Sequence, residues 1–137
     1  MLKLETLIRL QGVSVAPDDV LILCVDDEEI PLTLRKLVLQ KQGYKVMTAN
    51  SAAKAMEVLG ACHVDLVLSD QLMPGITGSE LAKGIKQTRP DLPVVLVSGV
   101  NEIPHDAKYA DMFISKVEGP VALCRKLSEV LAQYGHT

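Results

Sequence analysis

Short apolar runs alternate with longer segments of mixed polarity along this chain. Val20–Val25, Val64–Ser69, Val94–Val97 and Met112–Ser115 each read as a strand, and Lys45–Thr48 reads as a shorter second strand. Between them the apolar spacing turns helical. Ile30, Leu34, Leu37 and Val38 recur at helical intervals after the first run, with Pro31 in the first turn, where proline is tolerated, and Gly43 as the stop. Asn50 or Ser51 caps a second helix carrying Ala55, Met56 and Leu59, which ends near Gly60. Thr77 and Glu80 have capping-box spacing and open a third helix with Leu81, Ala82 and Ile85 inward. A last helix starts at Gly119-Pro120, with proline at its first position, and buries Leu123, Leu127, Val130 and Leu131. Strands alternating with helices are the signature of βαβ units and a parallel sheet. The stretch from Val100 to Ala110 has weak periodicity, which predicts a short or distorted helix. Residues 1–18 read as an extension of one or two helical turns and a loop, ahead of one domain over 19–137.

The ends of the runs carry the chemistry. The first stops at Asp26-Asp27, the third at Asp70, the fourth at Ser98-Gly99 and the fifth at Lys116. In an open α/β sheet, ligands bind in the crevice outside the carboxyl ends of the strands. Parallel neighbours would therefore gather three carboxylates, a hydroxyl and an ammonium in one crevice. Carboxylates at that density repel, so the site wants a divalent cation. With a metal, a hydroxyl and a lysine around it, a carboxylate suits an incoming phosphoryl group. Each residue alone has an ordinary reading. Asp26-Asp27 can cap a helix, Asp70 can start a turn, Ser98 can be loop chemistry and Lys116 can be a solvated surface lysine. Their coincidence at successive strand ends favours the joint, functional reading.

Composition narrows the classes. With 48% apolar and 23% charged residues, the 137-residue chain has globular proportions and length for one sizeable core. A formal charge of −3 gives no basic footprint for nucleic acid. No apolar stretch is long enough to span a bilayer, and the N-terminus makes a poor signal peptide. Cys24, Cys62 and Cys124 are odd in number and far apart, which suits reduced thiols in a cytoplasmic protein.

The segments ILCVDDEE (22–29), LVLSDQLMPG (66–75), VVLVSG (94–99) and FISK (113–116) together resemble the receiver domain of two-component response regulators over roughly residues 19–134. The resemblance implies a flavodoxin-like, doubly wound α/β fold: a five-stranded parallel sheet in the order 2-1-3-4-5 with helices on both faces. It implies that Asp70 accepts a phosphoryl group from a sensor histidine kinase or a histidine phosphotransfer protein. Asp27, Asp70 and the backbone carbonyl of Leu72 would ligate Mg²⁺, with Asp26 acting through water or orienting the metal shell. Lys116 would pair with Asp70 and then with a phosphoryl oxygen, and Ser98 would bond another. Gly99 would leave room for the group. Ser98 and Phe113 would form the switch that alters binding of a downstream protein.

Three departures from the family pattern stand out. The lysine is usually followed by proline across a cis bond, but Val117 follows Lys116. A non-proline cis bond costs roughly 2.5–4 kcal/mol, so Lys116-Val117 is either trans or a strained exception. Only 17 residues separate Ser98 from Lys116, which shortens the intervening helix and its share of the signalling face. Leu72 and Val100 are apolar where polar groups often flank the phosphoryl site, an arrangement expected to exclude water and slow hydrolysis.

The leading function is a phosphorylation-controlled binding module that catalyses only its own phosphorylation and dephosphorylation. A receiver cut from a longer regulator with an output domain is an alternative. A small Mg²⁺-dependent phosphatase with an Asp nucleophile is disfavoured, because Leu72 stands where a general acid/base would be needed. A flavodoxin-like cofactor carrier is disfavoured too, since the chain has no phosphate-cradling loop after the first strand and no tryptophan.

Overall fold

The computed structural model describes residues 19–99 and 107–135. The N-terminal extension, Val100 and most of the segment before the fifth strand lie outside the described residues. Five parallel strands, β1 (Leu21–Val25), β2 (Lys45–Ala49), β3 (Leu66–Asp70), β4 (Val94–Ser98) and β5 (Met112–Ser115), form one sheet in the order β2-β1-β3-β4-β5. This is the expected flavodoxin-like order. Four helices flank it: α1 (Glu29–Lys41), α2 (Ala52–Ala61), α3 (Gly78–Thr88) and α4 (Gly119–Gln133).

The register explains why the runs are apolar throughout. Ile22 pairs with Leu66, Val67 with Val94, and Leu96 with Phe113, so central strands have a helix layer on either side. Alternate residues then face opposite cores. Ile22, Cys24, Leu66, Leu68, Val95, Val97 and Ile114 meet Leu32 and Leu39 of α1 and Cys124, Leu127, Val130 and Leu131 of α4. Leu23, Val25, Val67, Val94 and Leu96 meet Ala55 and Leu59 of α2 and Leu81, Ala82 and Ile85 of α3. Every residue of β3 and β4 is buried. Burying an aliphatic side chain of this size contributes about 1.5–3 kcal/mol, so these two strands dominate the core.

Local signals set the helix ends. Ser51 caps α2 by accepting a hydrogen bond from the Lys54 N–H at 3.1 Å. Thr77 and Glu80 form the expected capping box at α3. Pro120 stands in the first turn of α4, where its missing N–H has no helical acceptor to lose. The stripe on α1 differs from the sequence reading. Ile30, Leu34 and Leu37 are exposed, whereas Val38 packs against the core as expected; the other inward side chains are Leu32, Leu39 and, between those two, Arg35. Met56 is also exposed, and Leu123 is only half-buried. Position 30 lies in the first turn of α1 and is exposed, so helical spacing there does not imply a neighbour to pack against.

The loop from β3 to α3 is tied down from inside. Gln71 is buried, and its Oε1 accepts hydrogen bonds from the Ser79 N–H and hydroxyl, both at 2.9 Å. The Gly78 N–H donates to the Gln71 carbonyl at 2.8 Å. A side chain at Gly78 would begin 2.5 Å from the Asp70 carbonyl oxygen and 2.9 Å from Leu96. Helix α3 therefore starts against the end of β3 because residue 78 has no Cβ.

Two glycines of α3 give opposite expectations. Gly78→Ala should lower stability by about 1–3 kcal/mol, since rigid backbone must move. Gly84→Ala should raise it by about 0.5–1 kcal/mol, because nothing lies within 4 Å of the added methyl group. Urea titration at constant m-value separates the two, and a neutral Gly78→Ala would mean that the β3–α3 loop is not held as described.

Candidate functional site at the carboxyl ends of the strands

Strands β1, β3, β4 and β5 are consecutive neighbours, so their ends deliver their residues to one crevice. Asp70 is the last residue of β3 and is 3% exposed. Asp26, just past β1, is 1% exposed, while Asp27 faces solvent. One carboxylate oxygen from each of the three lies within 4.8 Å of the others. The sequence-predicted acidic cluster is thus assembled. Carboxylate oxygens are hard donors, suited to a hard divalent cation rather than to zinc or copper.

Lys116 follows β5 and places its Nζ 3.1 Å from Asp70 Oδ1. The contact is an ion pair, and this buried oxygen has no other protein donor among the described residues. Burial pushes the Asp70 carboxyl above its usual pKa, with the Asp26 charge adding to that, while Lys116 and Arg35 oppose it. A buried oxygen with spare acceptor capacity beside two other carboxylates is a place for a cation.

Asp26 has a charged partner that the sequence reading did not give it. Its Oδ2 accepts a hydrogen bond from Arg35 Nη1 at 2.7 Å, and its Oδ1 accepts one from the Glu28 N–H at 2.9 Å. Arg35 itself is only 12% exposed. Sequence reasoning missed this residue. The available signal was its place between Leu32 and Leu39 on the inward stripe of α1, since an arginine facing a core needs a carboxylate partner.

The remaining predicted residues sit around this centre. Ser98 ends β4, is buried, and pairs in register with Ser115. Gly99 lies over the lysine stem: a side chain there would begin 3.7 Å from Lys116 Cδ. Leu72 is 62% exposed, so its side chain stands away from the crevice floor. Phe113 is half-buried and packs on the α2–α3 side of the sheet. Val100 lies outside the described residues.

The turn carrying Lys116 has a simple solution. No cis peptide bond occurs among the described residues, so Lys116-Val117 is trans. Residues Lys116–Glu118 form a single 3₁₀ turn. The Ser115 hydroxyl accepts from the Val117 N–H at 3.3 Å, and Glu118 accepts from the Ser115 N–H at 2.7 Å. Lys126 of α4 pairs with Glu118. Lys126 and then the Ser115 amide hold the Glu118 carboxyl below its usual pKa. Gly119 then adopts φ 83°, a left-handed backbone that suits glycine, and α4 begins. The Ser115-x-x-Glu118 spacing was a readable capping box that the sequence reading passed over.

The response regulator receiver domain family matches residues 22–128. Transcriptional regulatory protein GlrR of Escherichia coli (strain K12) is 35% identical over 117 residues, covering 82% of this chain and 26% of that protein. The autoinducer 1 sensor kinase/phosphatase LuxN of Vibrio campbellii is 38% identical over 78 residues, covering 57% of this chain and 9% of LuxN. The chain therefore spans only a small part of these curated relatives. Among solved structures, response regulator protein TrrA of Thermotoga maritima, in complex with Mg²⁺-BeF, superposes with a TM-score of 0.77 at 30% identity, covering 81% of this chain and 98% of TrrA. TrrA has also been solved in complex with the histidine kinase ThkA; that match has a TM-score of 0.76 at 31% identity, covering 82% of this chain and 98% of the matched chain.

Glu118→Ala should free the Ser115 amide and loosen the turn that positions Lys116. Hydrogen exchange should speed up at 115–118 and stay unchanged in β3 and β4. Unchanged protection at the Ser115 amide would mean that the turn does not depend on the box.

Proposed function

This chain belongs to the response regulator receiver domain family, and on that premise we propose that it is a phosphorylation-controlled signalling module whose phosphoacceptor is Asp70. The observation that carries this reading is the position of Asp70: buried at the end of the central strand, 3.1 Å from Lys116 and within a three-carboxylate cluster. The unit that acts is 19–137, with 1–18 as an extension. The donor is a phosphohistidine on a sensor histidine kinase or phosphotransfer protein, in keeping with the complex that ThkA forms with TrrA. The compartment proposed is the cytoplasm; among the described residues no helix is long and apolar enough to cross a membrane.

Asp27, Asp70 and the Leu72 carbonyl would hold Mg²⁺, with Asp26 reaching it through water. The ion supplies neutralisation of the negative charge that gathers as phosphoryl oxygens approach carboxylates. An Asp70 carboxylate oxygen attacks phosphorus in line. The P–N bond to histidine breaks, the electron pair stays on the imidazole, and an acyl phosphate forms on Asp70. Lys116 moves its pairing from the carboxylate to a phosphoryl oxygen. Ser98 donates its hydroxyl hydrogen to a second one, and Phe113 follows the vacated space. The chain accelerates only its own phosphorylation and, by admitting water in line, its own dephosphorylation. Leu72 brings no acid or base to that water, which favours a persistent phosphorylated form.

A second reading, a receiver acting within a longer regulator, is favoured by one observation. The chain covers 26% of GlrR and 9% of LuxN, where the matching stretch is a part of a larger protein. Both readings share the site.

Incubation with acetyl phosphate and Mg²⁺ should add one phosphoryl group by intact mass, and Asp70→Ala should abolish the addition. Stable incorporation into the Ala variant would move the phosphoacceptor elsewhere. Calorimetric Mg²⁺ titration adds a separate check. Asp27→Asn removes a full charge from the ligand set and should weaken binding by about tenfold or more. Equal affinity in that variant would reduce Asp27 to a helix-terminal residue.

A further inference from the structure

We propose that Arg35 is the resident cation of the acidic crevice: it neutralises Asp26 in the metal-free protein, competes with the divalent ion, and so sets the affinity of the site. This inference rests on the reading of the crevice as a Mg²⁺ site.

The geometry is specific. Both Asp26 oxygens are engaged, Oδ2 by Arg35 Nη1 at 2.7 Å and Oδ1 by the Glu28 N–H at 2.9 Å. The pair is enclosed, with side-chain exposures of 12% and 1%. On the inward stripe of a helix the arginine stem can pack on apolar neighbours, but its charged head needs the carboxylate it meets. With Arg35 and Lys116 counted against Asp26, Asp27 and Asp70, the crevice keeps a formal charge of −1 rather than −3. A divalent ion entering such a site meets two fixed positive charges. One of them, Lys116, has the unsatisfied Asp70 oxygen beside it and a second role at the phosphoryl group. The other, Arg35, is bound to Asp26, the carboxylate that would reach the ion through water.

Arginine is suited to this role. Its planar guanidinium presents a fixed fork of donors that matches carboxylate geometry. The interaction is also shielded from salt, because the pair is buried. When the divalent ion binds, Asp26 becomes shared between two positive groups. The Arg35 contact loosens in proportion, and the guanidinium turns toward the cleft between α1 and α4 that it lines together with Leu34 and Leu123.

The test uses the whole chain and Mg²⁺ alone. Calorimetry should show Arg35→Gln binding Mg²⁺ about tenfold more tightly than wild type, the effect of removing one positive charge from a partly buried site. Arg35→Lys, which keeps the charge, should stay within about threefold of wild type. Thermal unfolding gives an independent readout: metal-free Arg35→Gln should be the least stable form, and Mg²⁺ should raise its midpoint more than it raises that of wild type. In wild-type protein, the Arg35 Nε–Hε resonance should shift along the Mg²⁺ titration, which requires no variant to fold. Unchanged or weaker binding in Arg35→Gln, equal tightening in Arg35→Lys, or a stationary Arg35 resonance would each overturn the inference while leaving the Mg²⁺ site standing. Absence of Mg²⁺ binding in wild type and both variants would overturn the site reading and this inference together.

Discussion

Three carboxylates brought within 4.8 Å of one another are the constraint around which this molecule is organised. Asp26 and Asp70 are buried as well, which makes their repulsion harder to screen. The sheet imposes the juxtaposition, because β1 and β3 are hydrogen-bonded neighbours that end at the same level. Positive charge has to be supplied from elsewhere in the chain. It comes from the turn after β5 as Lys116 and from α1 as Arg35. Without them, the strand order that builds the core would carry an electrostatic penalty at its functional end.

Those cations are placed by different devices. Arg35 rides on a regular helix whose inward face it shares with Leu32 and Leu39. The ion pair therefore helps to hold α1, which buries few large side chains of its own. Lys116 instead sits at the start of a single 3₁₀ turn, fixed by Ser115 and Glu118 from within and by Lys126 from α4. Asp70 is fixed from the third side. The Gln71–Ser79 bonds and the close approach at Gly78 hold the β3–α3 loop against the strand end. Each device is local, yet all of them converge on the same few ångströms.

The sheet and the crevice were legible in the sequence because their signals are local and redundant. Four apolar runs each end in a residue with chemistry, and a parallel sheet allows only a few ways to align those ends. Helix caps at Ser51 and Thr77 were legible for the same reason: a cap is a contact between residues three apart. The stripe on α1 was not, since periodicity gives the spacing of a face but not which face meets the sheet. Ile30, Leu34 and Leu37 have helical spacing and point to solvent. Arg35 was missed for a related reason. Its partner lies nine positions back, across a turn, and an arginine in a helix is unremarkable until the neighbouring leucines are known to be inward. The missing proline left the Lys116-Val117 bond open between trans and a strained cis form; Ser115-x-x-Glu118 builds the trans turn.

The exposed face of α1 and the crevice are less separate than the sheet geometry suggests. A cleft of about 440 Å³ lies between α1 and α4, walled by Pro31, Leu34, Val38, Pro120 and Leu123. Arg35 and Lys116 line it too, so the two cations that balance the carboxylates are also its charged groups. Both line the cleft while paired with Asp26 and Asp70, so each cation borders the carboxylates on one side and the apolar wall on the other. A change in charge at the strand ends is therefore felt at that apolar wall through the two groups they share.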